Sequence, residues 1–212
     1  MHMSDLVQDL KKSKLVAVVE IGDAGLAVPL ARALLDGGVH FIEITFRTES
    51  AGDALLALKD AGTGLHYGAG TVRTKEQAAR AIKAGAEFLV APGFNKDIIK
   101  IAIDAGIPFY PGVDSTLGIE AAVNMGIDTL KFFPAEESGG IKWLKAVLGP
   151  YPELKFIPTG GISITNMKEY LVTPNVLAIG GSFLAPKHLI KEKKFGEITA
   201  ACQKASGVVK SL

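Results

Sequence analysis

LVAVVEIGDAGLAVPLARALLDGGVHFIEITFR, residues 15–47, holds one full period of the chain's architecture. A short run of β-branched and apolar residues (15–20) leads into a stretch of helical spacing (24–36), where Leu26, Leu30, Ala33 and Leu34 share one side. Gly37-Gly38 stops it, and a second β-rich run follows at 40–45. The two runs have the length and residue types of buried strands. Good helix formers fill the stretch between them, and glycine just past a helix suits a left-handed C-cap. The period is strand, helix, glycine, strand.

Outward from this stretch the period repeats. Further β-rich runs stand at 66–70, 87–91, 107–111, 129–133, 155–159 and 176–180, with helical stretches such as 75–84 and 96–105 between them. Gly62, Gly85, Gly106 and Gly126 each close a helical stretch, while Thr74 and Asn95 stand where an N-cap is expected. Alternation at this pace means parallel strands joined by right-handed crossovers. Eight strands, each followed by a helix, favour a closed (β/α)8 TIM barrel, with an open doubly wound sheet as the alternative. No linker-like stretch interrupts the series. The whole chain (1–212) is therefore expected to be one barrel domain, with a helix or tail over 1–14 and a C-terminal helix over 187–212. Within that C-terminal region, 195–205 covers the last strand.

Composition narrows the function. A chain of 212 residues, 48% apolar and 21% charged, has the material for one buried core, and a net charge of +1 supplies no basic field for nucleic acid. Cys202 is the only cysteine, and His2, His40, His66 and His188 show no His-Glu-x-x-His spacing and no local cluster, so a zinc site is poorly supplied. The apolar run after Lys11, Lys12 and Lys14 is short and ends at Glu20, so it reads as a strand, not a signal peptide. Nothing reaches the length of a membrane span, and a cytoplasmic protein is the default. The opening Met-His-Met is set aside as a cloning remnant.

In such a barrel the chemistry comes from the C-terminal ends of strands and the loops beyond them. In Thr129-Leu130-Lys131-Phe132-Phe133-Pro134, alternation puts Leu130 and Phe132 against the helices and Lys131 inside the barrel. Burial without a partner favours the neutral amine, the nucleophile that Schiff-base chemistry requires. From this strand alone, a Lys–Glu pair that only holds strands in register explains the lysine equally well. Phe41-Ile42-Glu43-Ile44-Thr45-Phe46-Arg47 shifts the balance. It places Glu43, Thr45 and Arg47 on one face, a carboxylate that can pair with Lys131 or move protons and a guanidinium suited to a substrate carboxylate. Gly160-Gly161 and Gly180-Gly181-Ser182 end the last two strands, where backbone amides and a following helix N-terminus would receive a phosphate. Gly68-Ala69-Gly70-Thr71 and Ala91-Pro92-Gly93 leave room at the mouth; on their own they read as a tight rim.

Taken in order, Glu43-Ile44-Thr45-Phe46-Arg47-Thr48, Gly68-Ala69-Gly70-Thr71-Val72, Pro92-Gly93, Pro111-Gly112-Val113, Lys131-Phe132-Phe133-Pro134-Ala135-Glu136, Pro158-Thr159-Gly160-Gly161-Ile162 and Gly180-Gly181-Ser182 resemble the motifs of the KDPG/KHG aldolase family, over residues 15–186. That family cleaves 2-keto-3-deoxy-6-phosphogluconate, often with 4-hydroxy-2-oxoglutarate aldolase activity alongside. The resemblance implies Lys131 as the Schiff-base residue and Glu43 as general acid/base. It implies Arg47, Thr71, Pro92, Phe133 and Thr159 as substrate-binding residues, and Gly160, Gly161, Gly181 and Ser182 as the phosphate site. It also implies no cofactor, a 2-keto-3-deoxy sugar acid phosphate as the small-molecule substrate, and a homotrimer.

Two stretches depart from the family pattern. Residues 114–120 replace its Thr/Ser-rich turn, and Glu20 puts a carboxylate near the mouth, where it would oppose an anionic substrate or pair with Arg47. Three rivals follow from the same residues. They are an aldolase for the C4-epimeric phosphogalactonate, a sugar-phosphate isomerase or epimerase barrel, and a non-catalytic sugar-phosphate binding module.

Overall fold

The computed structural model describes residues 3–212, so Met1 and His2 of the opening Met-His-Met lie outside the described residues. The strands form a closed (β/α)8 barrel of eight staves: β1 (Leu15–Val19), β2 (Phe41–Thr45), β3 (His66–Gly70), β4 (Leu89–Val90), β5, β6 (Thr129–Phe132), β7 (Lys155–Pro158) and β8 (Ile179–Gly181). Stave β5 comes in two pieces, Phe109–Tyr110 and Gly112–Val113, where the sequence points to one run over 107–111. Pro111 causes the break because it has no N–H to give the ladder. Its carbonyl still accepts from Lys131 N at 2.9 Å.

Every ladder is parallel. The first piece of β5 continues through β4, β3, β2 and β1 to β8, and the second through β6 to β7. The ring closes between β7 and β8 by the bridges Phe156–Val176 and Thr159–Gly180.

Among the described residues ten α-helices accompany the staves: α1 (Met3–Ser13), α2 (Ala27–Asp36, led by a 3-10 turn at Ala24–Leu26), α3 (Ala51–Ala61), α4 (Lys75–Lys83), α5 (Lys96–Asp104), α6 (Thr116–Val123), α7 (Gly140–Leu148), α8 (Met167–Leu171), α9 (Lys187–Lys191) and α10 (Phe195–Lys210). The region 187–212 thus holds two helices, parted at Lys193, whose φ is +57°. Thr74 caps α4 in a capping box with Gln77, and the Asn95 side chain accepts from Asp97 N and Ile98 N at the start of α5. At the end of α2 only Gly38 is left-handed, with φ +78°. Gly37 serves close packing instead, because a Cβ there would run into Cys202 of α10. Thr199 and Ser206 then donate to Ala33 O and Gly37 O at 2.9 and 2.7 Å, fixing α10 against α2.

Alternation along the staves divides the core. Leu15, Ala17, Val19, Ile42, Ile44, Leu130 and Phe132 face the helices, while Val16, Phe41, Phe88, Val90, Tyr110 and Ile157 fill the barrel. The base of the interior is closed by α1, whose Leu6 and Leu10 join the inner cluster. His66, at the foot of β3, ties α1 down. Its Nδ1 lies 2.7 Å from Glu87 Oε2, its Nε2 lies 3.5 Å from Asp9 Oδ2, and its ring stacks on Phe41 at 4.6 Å. The hydrogen bond with Glu87, helped by Asp9 and opposed by burial, raises the His66 pKa above its ordinary value.

Candidate active site

Lys131 faces inward because its neighbours are held outward. Leu130 and Phe132 are fully buried in the helix-facing layer, and Phe132 stacks on Trp143 of α7 at 4.3 Å. Lys131 is 5% exposed and Glu43, from β2 on the other side of the interior, is 3% exposed. The ammonium donates to Glu43 Oε1 at 3.0 Å and Oε2 at 3.3 Å. Two buried charges are tolerated only when they face each other this closely. Space for the carboxylate comes from Gly70 on the adjoining stave, where a Cβ would collide with Glu43 Oε1. The Phe133 ring lies 5.4 Å from Lys131 Nζ and overhangs the amine.

Thr45, the next inward residue after Glu43, is not free for a ligand, because its hydroxyl donates to Val19 O at 2.9 Å. Arg47 and Thr71 follow the paired ends of β2 and β3, where Thr45 stands opposite Gly70. Arg47 is exposed, and among the described residues it makes no ion pair or side-chain hydrogen bond. Thr71 has φ +56°, a conformation that costs a β-branched residue energy and that clusters at ligand sites. Pro92 and Phe133 line one open cleft of ≈ 330 Å³ together with Phe94, Gly112, Asp114 and Leu117. Thr159, nearly buried, lines the interior beside Lys131 and Glu43.

The two glycine pairs end neighbouring staves, joined by the Thr159–Gly180 bridge. Gly160 and Gly161 take φ +100° and +74°, and side chains there would press on Pro134 and Glu136 respectively. The turn is held from the β6 side by Ala135 N to Thr159 O at 2.9 Å and Glu136 N to Gly160 O at 3.2 Å. The Glu136 carboxylate in turn accepts from the Tyr170 hydroxyl. The expectation of a helix N-terminus at these glycines is not met. After Gly161 comes a turn in which Asn166 Oδ1 accepts from Ser163 N at 2.8 Å, and then α8, only five residues long. After Gly181 comes a three-residue 3-10 turn at Ser182–Leu184. What remains for an anion is the glycine backbone and the exposed Ser182 hydroxyl, without a long helix dipole.

Glu20 pairs with Lys187 at 2.5 Å rather than with Arg47. Most of the stretch 114–120 belongs to α6, where Glu120 accepts from the Tyr151 hydroxyl at 2.7 Å and is engaged there. Among the described residues no group of three or more His, Cys, Asp or Glu stands where it would hold a metal ion. No helix among them is long and apolar enough to cross a membrane. One polar residue of the interior escapes a motif-based reading: Tyr110, which shares the inner cavity with Lys131 and Glu43.

Fold and site together define a (β/α)8 barrel with a buried lysine–carboxylate pair inside it. The model of the family described as KDPG and KHG aldolase matches residues 6–201, and the chain belongs to that family. It is 42% identical over 205 residues to the 2-dehydro-3-deoxy-phosphogluconate aldolase of Haemophilus influenzae, covering 97% of each chain. Its fold superposes with a TM-score of 0.90 on the KDPG aldolase of Legionella pneumophila, solved with pyruvate captured at low pH as a covalent carbinolamine. That pair is 39% identical, with 94% of this chain and 97% of the other covered. The corresponding enzyme of Zymomonas mobilis ZM4, solved with 3-phosphoglycerate, gives a TM-score of 0.88 at 34% identity, with 96% of each chain covered.

Proposed function

We propose that this protein is a class I aldolase that cleaves 2-dehydro-3-deoxy-6-phosphogluconate to pyruvate and D-glyceraldehyde 3-phosphate, with 4-hydroxy-2-oxoglutarate as a second substrate. The observation that carries the reading is the 3.0 Å contact between Lys131 Nζ and Glu43 Oε1 inside the barrel. It puts a nucleophilic nitrogen and a proton carrier within reach of one substrate carbon.

Glu43 accepts a proton from the ammonium, and the free amine adds to the C2 ketone of the substrate to form a carbinolamine. Glu43 then returns a proton to the leaving hydroxyl, and loss of water gives the protonated imine. Removal of the C4 hydroxyl proton breaks the C3–C4 bond. The aldehyde departs, and the electron pair moves through C3 and C2 onto nitrogen as an enamine. Protonation at C3 and addition of water release pyruvate and restore Lys131. One water is released and one consumed, so the sum is a retro-aldol cleavage.

Arg47 and Thr71, following adjacent stave ends, take the substrate carboxylate, while Pro92 and Phe133 wall the pocket over the amine. Thr159 sits between the amine and the phosphate end, where Gly160, Gly161, Gly181 and Ser182 receive the phosphate. The similarity to an enzyme solved with pyruvate as a covalent carbinolamine and to one solved with 3-phosphoglycerate supports a keto acid and a phosphate as parts of the substrate. A homotrimeric assembly and a cytoplasmic location belong to the same reading, and analytical ultracentrifugation tests the first. We expect the whole chain to unfold in one calorimetric transition, as one domain should.

The test is incubation with pyruvate and borohydride, followed by peptide mass spectrometry. The expected result is a reduced pyruvyl adduct on Lys131. No adduct, or one on another lysine, overturns the mechanism. Parallel assays of the two C4 epimers decide between gluconate and galactonate configuration.

A further inference from the structure

Beneath the Lys131–Glu43 pair the barrel encloses a cavity with ≈ 10 Å³ of water-accessible space, walled by apolar side chains such as Leu10, Phe41 and Ile157. Three polar groups at its lining have fewer partners than they can use. Tyr110 is 4% exposed, and among the described residues its hydroxyl meets no hydrogen-bonding protein atom. Among the described residues Lys131, with three N–H donors, finds only Glu43, and the Glu43 carboxylate, able to accept about four hydrogen bonds, receives only Lys131. A buried hydroxyl or carboxylate left short of partners is costly, and proteins meet that cost with internal water. The cavity's volume suits one molecule, and its polar lining offers the two to four partners such a water needs.

We propose that this cavity holds one ordered water and that Tyr110 is the residue that positions it against the Lys131–Glu43 pair. Burial, with the Asp128 charge added, pushes the Tyr110 hydroxyl well above its ordinary value, so it stays protonated and able to donate. The role rests on the Schiff-base reading above. Once Lys131 nitrogen becomes an imine it keeps a single N–H, and Glu43 loses most of its donor. A water anchored from below by Tyr110 remains on the carboxylate and holds it in place for the proton transfers. Tyr110 touches no reacting atom; it acts through the water.

The experiment compares wild-type protein with Tyr110→Phe by crystallography at a resolution that shows waters, by steady-state kinetics, by thermal unfolding and by borohydride trapping of pyruvate. The expected result is one water within hydrogen-bond distance of Tyr110 Oη and the pair in the wild type, lost or displaced in the variant. With it, kcat falls about three- to tenfold, KM stays unchanged and the adduct stays on Lys131. Absence of that water in the wild type overturns the proposal. So does an unchanged kcat, or a higher Tm in the variant, as removal of an orphaned hydroxyl would give. A wild type that holds the water but gives no adduct leaves the water in place and removes the aldolase reading instead.

Discussion

The barrel has two ends that solve opposite problems with the same staves. At the base, the inner face is shut by the leucines of α1, and the His66 ring there is shared between two carboxylates on the rim. Toward the mouth, the same inward positions carry a lysine and a glutamate, and the rim is built of glycines and a threonine in a strained conformation. Packing at the base lowers the free energy of the fold. Replacing the mouth's ion pair by apolar residues of similar size is often neutral or stabilising, so stability alone gives no reason for the pair.

The sharpest way to break the comparison is to remove one partner of the pair. Lys131→Met is expected to abolish borohydride trapping and to lower cleavage by about 10³-fold or more. It also leaves Glu43 buried and unpaired, at a cost of about 3–5 kcal/mol by chemical denaturation. The double variant Lys131→Met, Glu43→Leu should regain that stability without regaining activity, and if it regains neither, the mouth is structural after all. Glu43→Gln keeps the shape and removes the proton carrier, so kcat should fall by about 10²–10⁴-fold with pyruvate trapping slowed but still on Lys131.

The base should respond in reverse. Leu6→Ala is expected to cost about 2–5 kcal/mol of stability while the folded fraction keeps its kcat and KM. A large change in kcat would show that α1 reaches the chemistry. His66 gives the base a pH dependence. Its pKa is raised in the folded state, so the stabilisation by Asp9 and Glu87 is fully present below the unfolded histidine value of about 6.5 and is lost as pH rises through the higher folded value. Tm measured against pH should therefore decline over that window in the wild type more than in His66→Gln, and parallel curves would exclude the clasp. The smallest effect belongs to the outer rim. Glu20→Ala breaks a pair whose lysine is largely exposed, and turnover should stay within about tenfold. Near-total loss would place Glu20 in the chemistry.

Most of the barrel is legible in the sequence because a parallel stave buried on both faces leaves a short, near-continuous apolar run bounded by glycine, in which a charged residue stands out. Leu130-Lys131-Phe132 shows it plainly: two apolar neighbours force the lysine inward whatever the lysine does there. Glycines such as Gly62 and Gly106, with positive φ, are visible for the same reason, since few other residues adopt that backbone. What escapes reading has no such local mark. Leu6 and Leu10 are one helical turn apart among charged residues, and nothing in the sequence says that this turn faces a barrel interior. The Tyr110 position is hidden by Pro111, which splits the stave and obscures its alternation. The helix dipole expected after Gly161 fails because a polar turn, Ser163 to Asn166, is interposed, and its side chains satisfy the backbone that a helix would otherwise use.

The cleft at the base has a practical consequence. It is bordered by Asp9, Lys12 and Ser13 of α1 and by Ser206, Val209 and Lys210 of α10. The last turn of α10 therefore leaves the molecule on the side opposite the mouth. A linker joined after Lys210 would anchor the barrel to a bead or scaffold with its opening turned toward the solution, and immobilised protein should then process small substrates as readily as free protein does.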